Sequence, residues 1–287
     1  MKLEFHPEAE QEFLESVSRY EAEVLGLGER FDAEVQKASA LLLELSRNRA
    51  THRRRATQTR SRTLDLTGNR RVAMTQLRED VALISAKTLE HYNERAAEFW
   101  QGTRDHDVKQ NVEALLRHIR GSPPLRILDF GCGPGRDLAT FRALGHEPIG
   151  LEGSPPLAAM AREHSGCEVW EQDFLALRLP AGRFDGIFAN ASLFHVPCQE
   201  LPRVLSELHA ALKPDGVLFT SNPRGNNEEG WNRGRYGAYH DLESWRAFLE
   251  RAAFAELEYY YRPPRLPLER QPWLASVWRR NAVSGEI

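Results

Sequence analysis

Asp129 stands two residues before a glycine loop, Gly131-Cys132-Gly133-Pro134-Gly135, within ILDFGCGPGRDLATF at 127–141. Glycines this close together let a ligand approach the backbone, as in the G-x-G-x-x-G loops that hold dinucleotides. Here the spacing is GxGxG and an acid precedes it. A pyrophosphate at a helix N-terminus is repelled by an adjacent carboxylate, whereas a ligand with an ammonium group is attracted. Two more acids follow in comparable places, Glu152 in EPIGLEGS and Asp173 in CEVWEQDF. Carboxylates there can accept from ribose hydroxyls and from an adenine amino group.

S-adenosylmethionine (SAM) has that amino group, a sulfonium and no phosphate. Methyl transfer from a sulfonium is an in-line displacement. The protein has mainly to hold nucleophile, methyl carbon and sulfur in line, which removes about 7–11 kcal/mol of barrier. A general base is needed only when the acceptor is protonated at the working pH.

The elements around these residues alternate. The pattern predicts helices over 76–98 and 107–119, a strand in RILDFG, a helix over 136–144, a strand in EPIGLEGS and a helix over 155–164. Further strands are predicted in CEVWEQDF, FDGIFANAS and GVLFTSNP, with helices over 199–212 and 241–252 and two last strands in AELEYYYR and LASVWRR. Strands separated by helices of this length imply βαβ units, hence an α/β fold with a parallel sheet covered on both faces. Ligands of such sheets bind outside the carboxyl ends of the strands, where the glycine loop falls.

Residues from about 87 to 280 resemble the class I SAM-dependent methyltransferases. The resemblance rests on LDFGCGPGRD, GLEGS, EQDF, FDGIFANASLFHVP and LKPDGVLF. It implies a Rossmann-like sheet of seven strands, the last antiparallel, with SAM as cofactor. It assigns the methionine part of SAM to Asp129, Gly131, Gly133 and Gly135, the ribose to Glu152 and adenine to Asp173. Tyr92, Cys132, Gly153, Ser154, Phe174 and Asn190 join the expected cofactor contacts, Asn190 through an amide that orients SAM or the acceptor. The segment NASLFHVP points at the transferred methyl in this fold, which makes His195 the candidate base. An Asn/Asp-Pro-Pro-aromatic signature of DNA amino-methyltransferases is replaced here by Asn190-Ala191-Ser192-Leu193.

The acceptor should meet segments outside these motifs. HYNERAAEFWQGTRDHD at 91–107 is placed to act as a lid and offers Tyr92, Phe99, Trp100, Arg104 and His106. SNPRGNNEEGWNRGRYGAYHD at 221–241 reads as a long loop, and long loops in compact domains are usually functional. Its Arg224, Arg235, Tyr236 and Tyr239, with Trp231 and His240, are expected to grip a small polar molecule bearing a carboxylate. Asp105, His106 and Asp107 are adjacent at a helix start and do not face one point, so no metal is expected.

The chain has 287 residues, a formal net charge of −3 and 41% hydrophobic residues, which supports a packed core and names no polyanionic partner. Three scattered cysteines without CxxC spacing imply a reducing compartment and no disulfide framework. The start, MKLEFHPEAEQEF, lacks the apolar region of a signal peptide, and no run approaches the length of a membrane span, so a cytoplasmic protein is expected. The organisation expected is a helical segment at 1–46, a linker at 47–74 and the SAM-dependent domain at 75–287. The stretch 47–71 carries nine arginines against one acid, which fits a solvated basic linker and offers no aromatic for base stacking, so specific nucleic-acid binding is not expected. Residues 1–45 resemble the start of ParE/RelE-type toxins in EFHPEAEQEFLESVSRYE and GLGERFDAEVQKA, covering one strand and two helices. That resemblance implies a truncated remnant, and the apolar stripe of its helices is expected to pack on itself or on a protein partner. The expected function is methyl transfer from SAM to a small polar acceptor. The alternative is a toxin-antitoxin-like or nucleic-acid-binding module joined to a SAM-binding domain that transfers nothing.

Overall fold

The carboxyl ends of two neighbouring strands, Arg126–Phe130 and Phe184–Asn190, make the switch point of the sheet, because the chain leaves the first for strands on one side and later returns to the other. The computed structural model describes residues 81–281. In chain order it has α1 (81–94), α2 (Ala96–Thr103), α3 (Lys109–Leu116), β1 (Arg126–Phe130), α4 (Arg136–Ala143), β2 (Glu147–Glu152) and α5 (Pro155–Ser165). There follow β3 (Glu168–Glu171), β4 (Phe184–Asn190), α6 (Leu201–Ala211), β5 (Leu212–Pro223), β6 (Glu228–Asn232), β7 (Arg235–Tyr239), α7 (Leu242–Arg251), β8 (Phe254–Arg262) and β9 (Trp273–Arg280). Seven strands form one sheet in the order β3-β2-β1-β4-β5-β9-β8. The pairs among β1 to β5 are parallel, and β9 runs antiparallel between β5 and β8. The expected Rossmann-like α/β fold, with a last antiparallel strand, is what the chain adopts. The segments expected at 1–46 and 47–74, and the toxin resemblance, lie outside the described residues.

Hydrophobicity on both faces explains why the central strands read as continuous apolar runs. Leu128, Ile187, Leu218 and Trp278 point into one core with Val204, Leu208 and Trp245 of α6 and α7. Ile127, Phe188, Phe219 and Val277 point into the other, with Val112 and Leu115 of α3. Successive residues of β1, β4, β5 and β9 thus alternate between two helical layers. Both faces are covered, so a ligand is left the strand ends.

The turn from β1 into α4 depends on glycine twice. Gly131 has φ 77° and an added Cβ would lie 2.5 Å from Ser192 Cβ. Gly135 has φ 89°, and there a Cβ would lie 2.7 Å from Ala161 Cα and 2.9 Å from its carbonyl oxygen. Gly135 therefore lets the start of α4 close onto α5. Gly135→Ala combines a left-handed backbone with a clash against main chain, so a loss of roughly 2–4 kcal/mol is expected. Denaturant unfolding checks this; a variant as stable as the parent would contradict it.

The stretch 221–241 differs from its expectation as a loop. It contains a β-hairpin in which Asn232 pairs with Arg235 across the two-residue turn Arg233-Gly234. Both turn residues have positive φ, 50° and 85°, the requirement of a type I′ turn. The base of the hairpin is closed by Asn227, whose amide donates to Asp241 at 2.8 Å and accepts from its N–H at 3.1 Å. The hairpin lies on α1: Tyr236 N donates to Thr88 Oγ1 at 3.1 Å, and Lys87 Nζ lies 5.9 Å from the Trp231 ring centroid.

Candidate functional site

A cleft enclosing about 660 Å³, its open mouth included, lies over the glycine loop. Its floor is Gly131 and Gly133 after β1, Glu152 and Gly153 after β2, Asp173 and Phe174 after β3, and Ala191 and Ser192 after β4. The roof is one face of α1, formed by Ser85, Thr88, Leu89 and Tyr92, with Phe99 of α2. Those α1 positions are spaced i, i+3, i+4, i+7, a single helical stripe. Tyr92 and Phe99 were expected in a lid. Ser85, Thr88, Leu89 and Ser192 were missed, although the stripe at 85–92 could have revealed the first three.

Each acid at a strand end has a distinct setting. Glu152 Oε2 accepts from Gly133 N at 2.9 Å, and Oε1 accepts from Ser154 N at 2.9 Å. Glu152 thereby ties the glycine loop to the start of α5 while facing the cleft. Burial pushes its carboxyl up, against the pull of N–H groups of Ser154, Gly133 and Gly153. Asp173 Oδ1 accepts from Leu175 N at 2.8 Å, and Oδ2 from Ser85 Oγ at 2.7 Å, which joins α1 to the end of β3. Phe174 stacks on Phe130 with centroids 4.3 Å apart, giving the slot beside Asp173 an apolar wall.

Asp129 is 2% exposed, and its Oδ2 has no hydrogen-bond partner among the described residues. Burial, then the neighbouring Asp137, raises its carboxyl well above the ordinary carboxylate range, while Arg136 pulls the other way. A buried carboxylate with an orphaned oxygen is stabilised by a cation. Ser192 and Ser154 also keep buried hydroxyls without partners among the described residues. Cys132 is buried, with its thiol pushed up by burial and by Asp129 and Glu152, so it is an inert side chain. These residues fit SAM: an orphaned carboxylate for the ammonium, Glu152 for ribose, and Asp173 beside an aromatic wall for adenine.

His195, on a short 3₁₀ turn at Leu193–His195, is half-buried at the edge of the cleft. Its Nδ1 is 2.6 Å from Tyr236 O, and its Nε2 is 2.8 Å from Tyr92 Oη. Arg235 Nη1 donates to Tyr92 Oη at 3.2 Å. The arginine expected to grip the acceptor is thus joined to the roof tyrosine. Burial, with help from the nearby Arg235 and His91, lowers the His195 pKa to about 4, so its ring is neutral near pH 7.

A second cleft opens beyond Phe99 and the glycine loop, lined by His106, Cys132, Arg136, Asp137, Asn190 and Trp273 among others. Asn190 is held from two sides: Asn111 Nδ2 donates to its Oδ1 at 2.9 Å, and its Nδ2 donates to Asp137 at 3.3 Å. Asn111 in turn accepts from Tyr260 Oη at 3.0 Å. Neither cleft is lined by Asp129, Gly135, Ser154, Trp100, Arg104, Arg224, Arg235, Tyr236 or Tyr239; Asp129 lies buried beneath the glycine loop that forms the floor. Trp100 stacks on His164 at 4.5 Å, Arg104 is exposed beside Asp105, and Arg224 lies 4.8 Å over the Tyr261 ring. Tyr236 is buried and serves through its backbone, while the Tyr239 hydroxyl accepts from Asn232 at 3.3 Å within the hairpin. Among the described residues no group of three His, Cys, Asp or Glu side chains could hold a metal ion, and no helix is long and apolar enough to cross a membrane.

Known proteins resemble this chain in sequence and fold. A family described as a methyltransferase domain matches residues 127–216, from β1 into β5. The chain is 33% identical over 141 residues to a malonyl-[acyl-carrier protein] O-methyltransferase of Erwinia pyrifoliae, covering 47% of this chain and 53% of that one. It is 34% identical over 125 residues to a trans-aconitate 2-methyltransferase of Variovorax paradoxus, covering 42% and 47%. The chain therefore spans about half the length of these relatives. Among solved structures, a Burkholderia thailandensis 1,6-didemethyltoxoflavin-N1-methyltransferase superposes with TM-score 0.59 at 21% identity, covering 70% of this chain and 91% of that one. The [4+2]-cyclase SpnF superposes with TM-score 0.56 at 17% identity, covering 69% and 97%. The fold is that of the SAM-dependent methyltransferases.

Proposed function

We propose that the chain is an enzyme that transfers a methyl group from SAM to a small polar acceptor. The observation that carries this is the convergence of Asp129, Glu152 and Asp173 on the glycine loop, at the carboxyl ends of three neighbouring strands. SAM supplies the electrophilic methyl group. The chain's own residues bind, orient and cover: Glu152 fixes the loop that the ligand lies on, Asp173 and Phe174 define the nucleoside end, and Tyr92 and Phe99 close the roof. Two methyltransferase relatives support transfer as the reaction. One is named for a carrier-bound acceptor and the other for a free acid, so both kinds enter the test. The second cleft, with Phe99 and His106 of the lid on its wall, is the place for the acceptor.

Methyl-labelled SAM incubated with the full chain and a protein-free extract of small metabolites is expected to yield a labelled small molecule. A second incubation with acyl-carrier protein bearing a malonyl group tests the carrier-bound form. SAM binding without label transfer in either would contradict methyl transfer. It would favour a SAM-binding fold put to other use, as the fold shared with SpnF allows.

A further inference from the structure

Tyr236, His195, Tyr92 and Arg235 form a chain of hydrogen bonds whose directions are fixed by elementary chemistry. The Tyr236 carbonyl oxygen can only accept, so at 2.6 Å His195 Nδ1 must carry the hydrogen. In the neutral ring Nε2 then holds a lone pair and can only accept. The 2.8 Å contact with Tyr92 is therefore donated by the phenol. The one proton of the Tyr92 hydroxyl is committed to His195. Arg235 donates to the same oxygen at 3.2 Å, which takes one of its two lone pairs. The other lone pair remains available. Tyr92 and His195 both line the cleft that holds Gly131 and Ser192.

We propose that Tyr92 is a catalytic residue that takes a proton from the acceptor as it passes its own to His195, so that the acceptor is methylated at a hydroxyl or a ring N–H. This rests on the methyl-transfer reading above and names the kind of acceptor for it. As the acceptor's lone pair forms the new bond to the methyl carbon, the carbon–sulfur bond breaks and its electron pair stays on sulfur. The attacking oxygen or nitrogen becomes strongly acidic. Its proton moves to Tyr92 Oη, the phenol proton moves to His195 Nε2, and the imidazolium later releases one proton to solvent. Arg235 stabilises any negative charge on the phenol oxygen during the exchange.

The setting agrees with this direction of flow. Burial, then the Arg235 cation, leaves the His195 ring unprotonated in the resting state and makes it a weak base, so it takes a proton only from a group turned strongly acidic, as the attacking atom is once it bonds to the methyl carbon. The groups acting on Tyr92 are Arg235, Glu152 and Tyr239. An acceptor carboxylate, already ionised, would draw nothing from such a relay.

His195→Gln separates the relay from a merely structural latch. The glutamine amide can accept from Tyr92 and donate to the Tyr236 carbonyl, but cannot take up the proton. Parent, His195→Gln and Tyr92→Phe full chains are loaded with methyl-labelled SAM and mixed with the protein-free metabolite extract, and single-turnover label transfer is followed from pH 6 to 8. S-adenosylhomocysteine affinity is measured in parallel by calorimetry, and the ¹⁵N-histidine spectrum of the parent reports the ring tautomer. The relay predicts a neutral Nδ1–H ring and a label on an oxygen or ring nitrogen that had carried hydrogen. It also predicts a parent rate flat with pH and losses of at least about 100-fold in both variants, with affinity changed by less than about threefold. In His195→Gln the residual rate should climb with pH, as the acceptor ionises unaided. A label on a carboxylate, a His195→Gln rate within about threefold of the parent, or an equal loss of homocysteine-adduct affinity would overturn the relay and leave methyl transfer standing. Binding with no transfer by the parent would instead remove the methyl-transfer reading, and the relay with it.

Discussion

Replacing Asp129 by asparagine is expected to weaken SAM binding by at least about 100-fold while making the ligand-free protein more stable near pH 7. Both effects come from one buried carboxyl with an orphaned oxygen. Its folded pKa is raised by burial and Asp137, whereas unfolded it titrates near about 3.9. The native, ligand-free state therefore holds that proton more tightly than the unfolded state. Stability attributable to this group is present at low pH and is lost as pH rises from about 4 through the raised folded value. Asparagine never ionises, so the variant escapes the loss. An ammonium pairs only with the ionised form, so SAM affinity of the parent should increase with pH across the same window, and that of Asp129→Asn should not. Thermal unfolding with and without SAM, at several pH values, reads both effects. A ligand-free variant less stable than the parent, or one with parental SAM affinity, would contradict this account of Asp129.

Glu152→Gln should move stability the other way. Both Glu152 oxygens accept backbone N–H groups, from Gly133 and from Ser154. A glutamine presents an NH₂ to one of those donors and leaves it buried without an acceptor. Each such loss costs about 1–3 kcal/mol. The glycine loop then loses its tie to α5, and the ribose loses a carboxylate acceptor. The expected result is a lower melting temperature together with a SAM affinity reduced by at least about 30-fold. Two acids on neighbouring strands thus respond to amidation with opposite signs in stability and the same sign in binding. Parental stability for Glu152→Gln would show that the loop is held by other contacts.

The strands and the three acids were legible in the sequence because residue type alone carries them. Ile127, Leu128 and Phe130 form an apolar run that only a strand buried on both faces needs, and a GxGxG loop after it has few other uses. The hairpin at 228–239 was not legible. Its turn uses Arg233 where type I′ turns favour asparagine or aspartate, and its strands lack an apolar alternation because Trp231 stays half exposed, at 50%. Arg235 was expected at the acceptor because a free arginine suits a carboxylate. Its actual partner, Tyr92, is 143 residues away in sequence and could be found only once the hairpin was seen to lie on α1. Gly135 was taken for a ligand contact from its place in the motif, and the close approach of Ala161 explains it instead through helix packing. Asn190 was expected to orient SAM or the acceptor through its amide; the Asn111 and Tyr260 side chains that fix that amide come from α3 and β8, elements with no motif to flag them.

Isothermal titration of the full chain with SAM, with NAD as a control, tests the central claim most directly. Asp129, Glu152 and Asp173 around one glycine loop predict a single site with micromolar affinity for SAM, competed by S-adenosylhomocysteine, and no heat from NAD. Absence of SAM binding at high micromolar concentration, or tighter binding of NAD, would contradict the reading of the three acids on which the account depends.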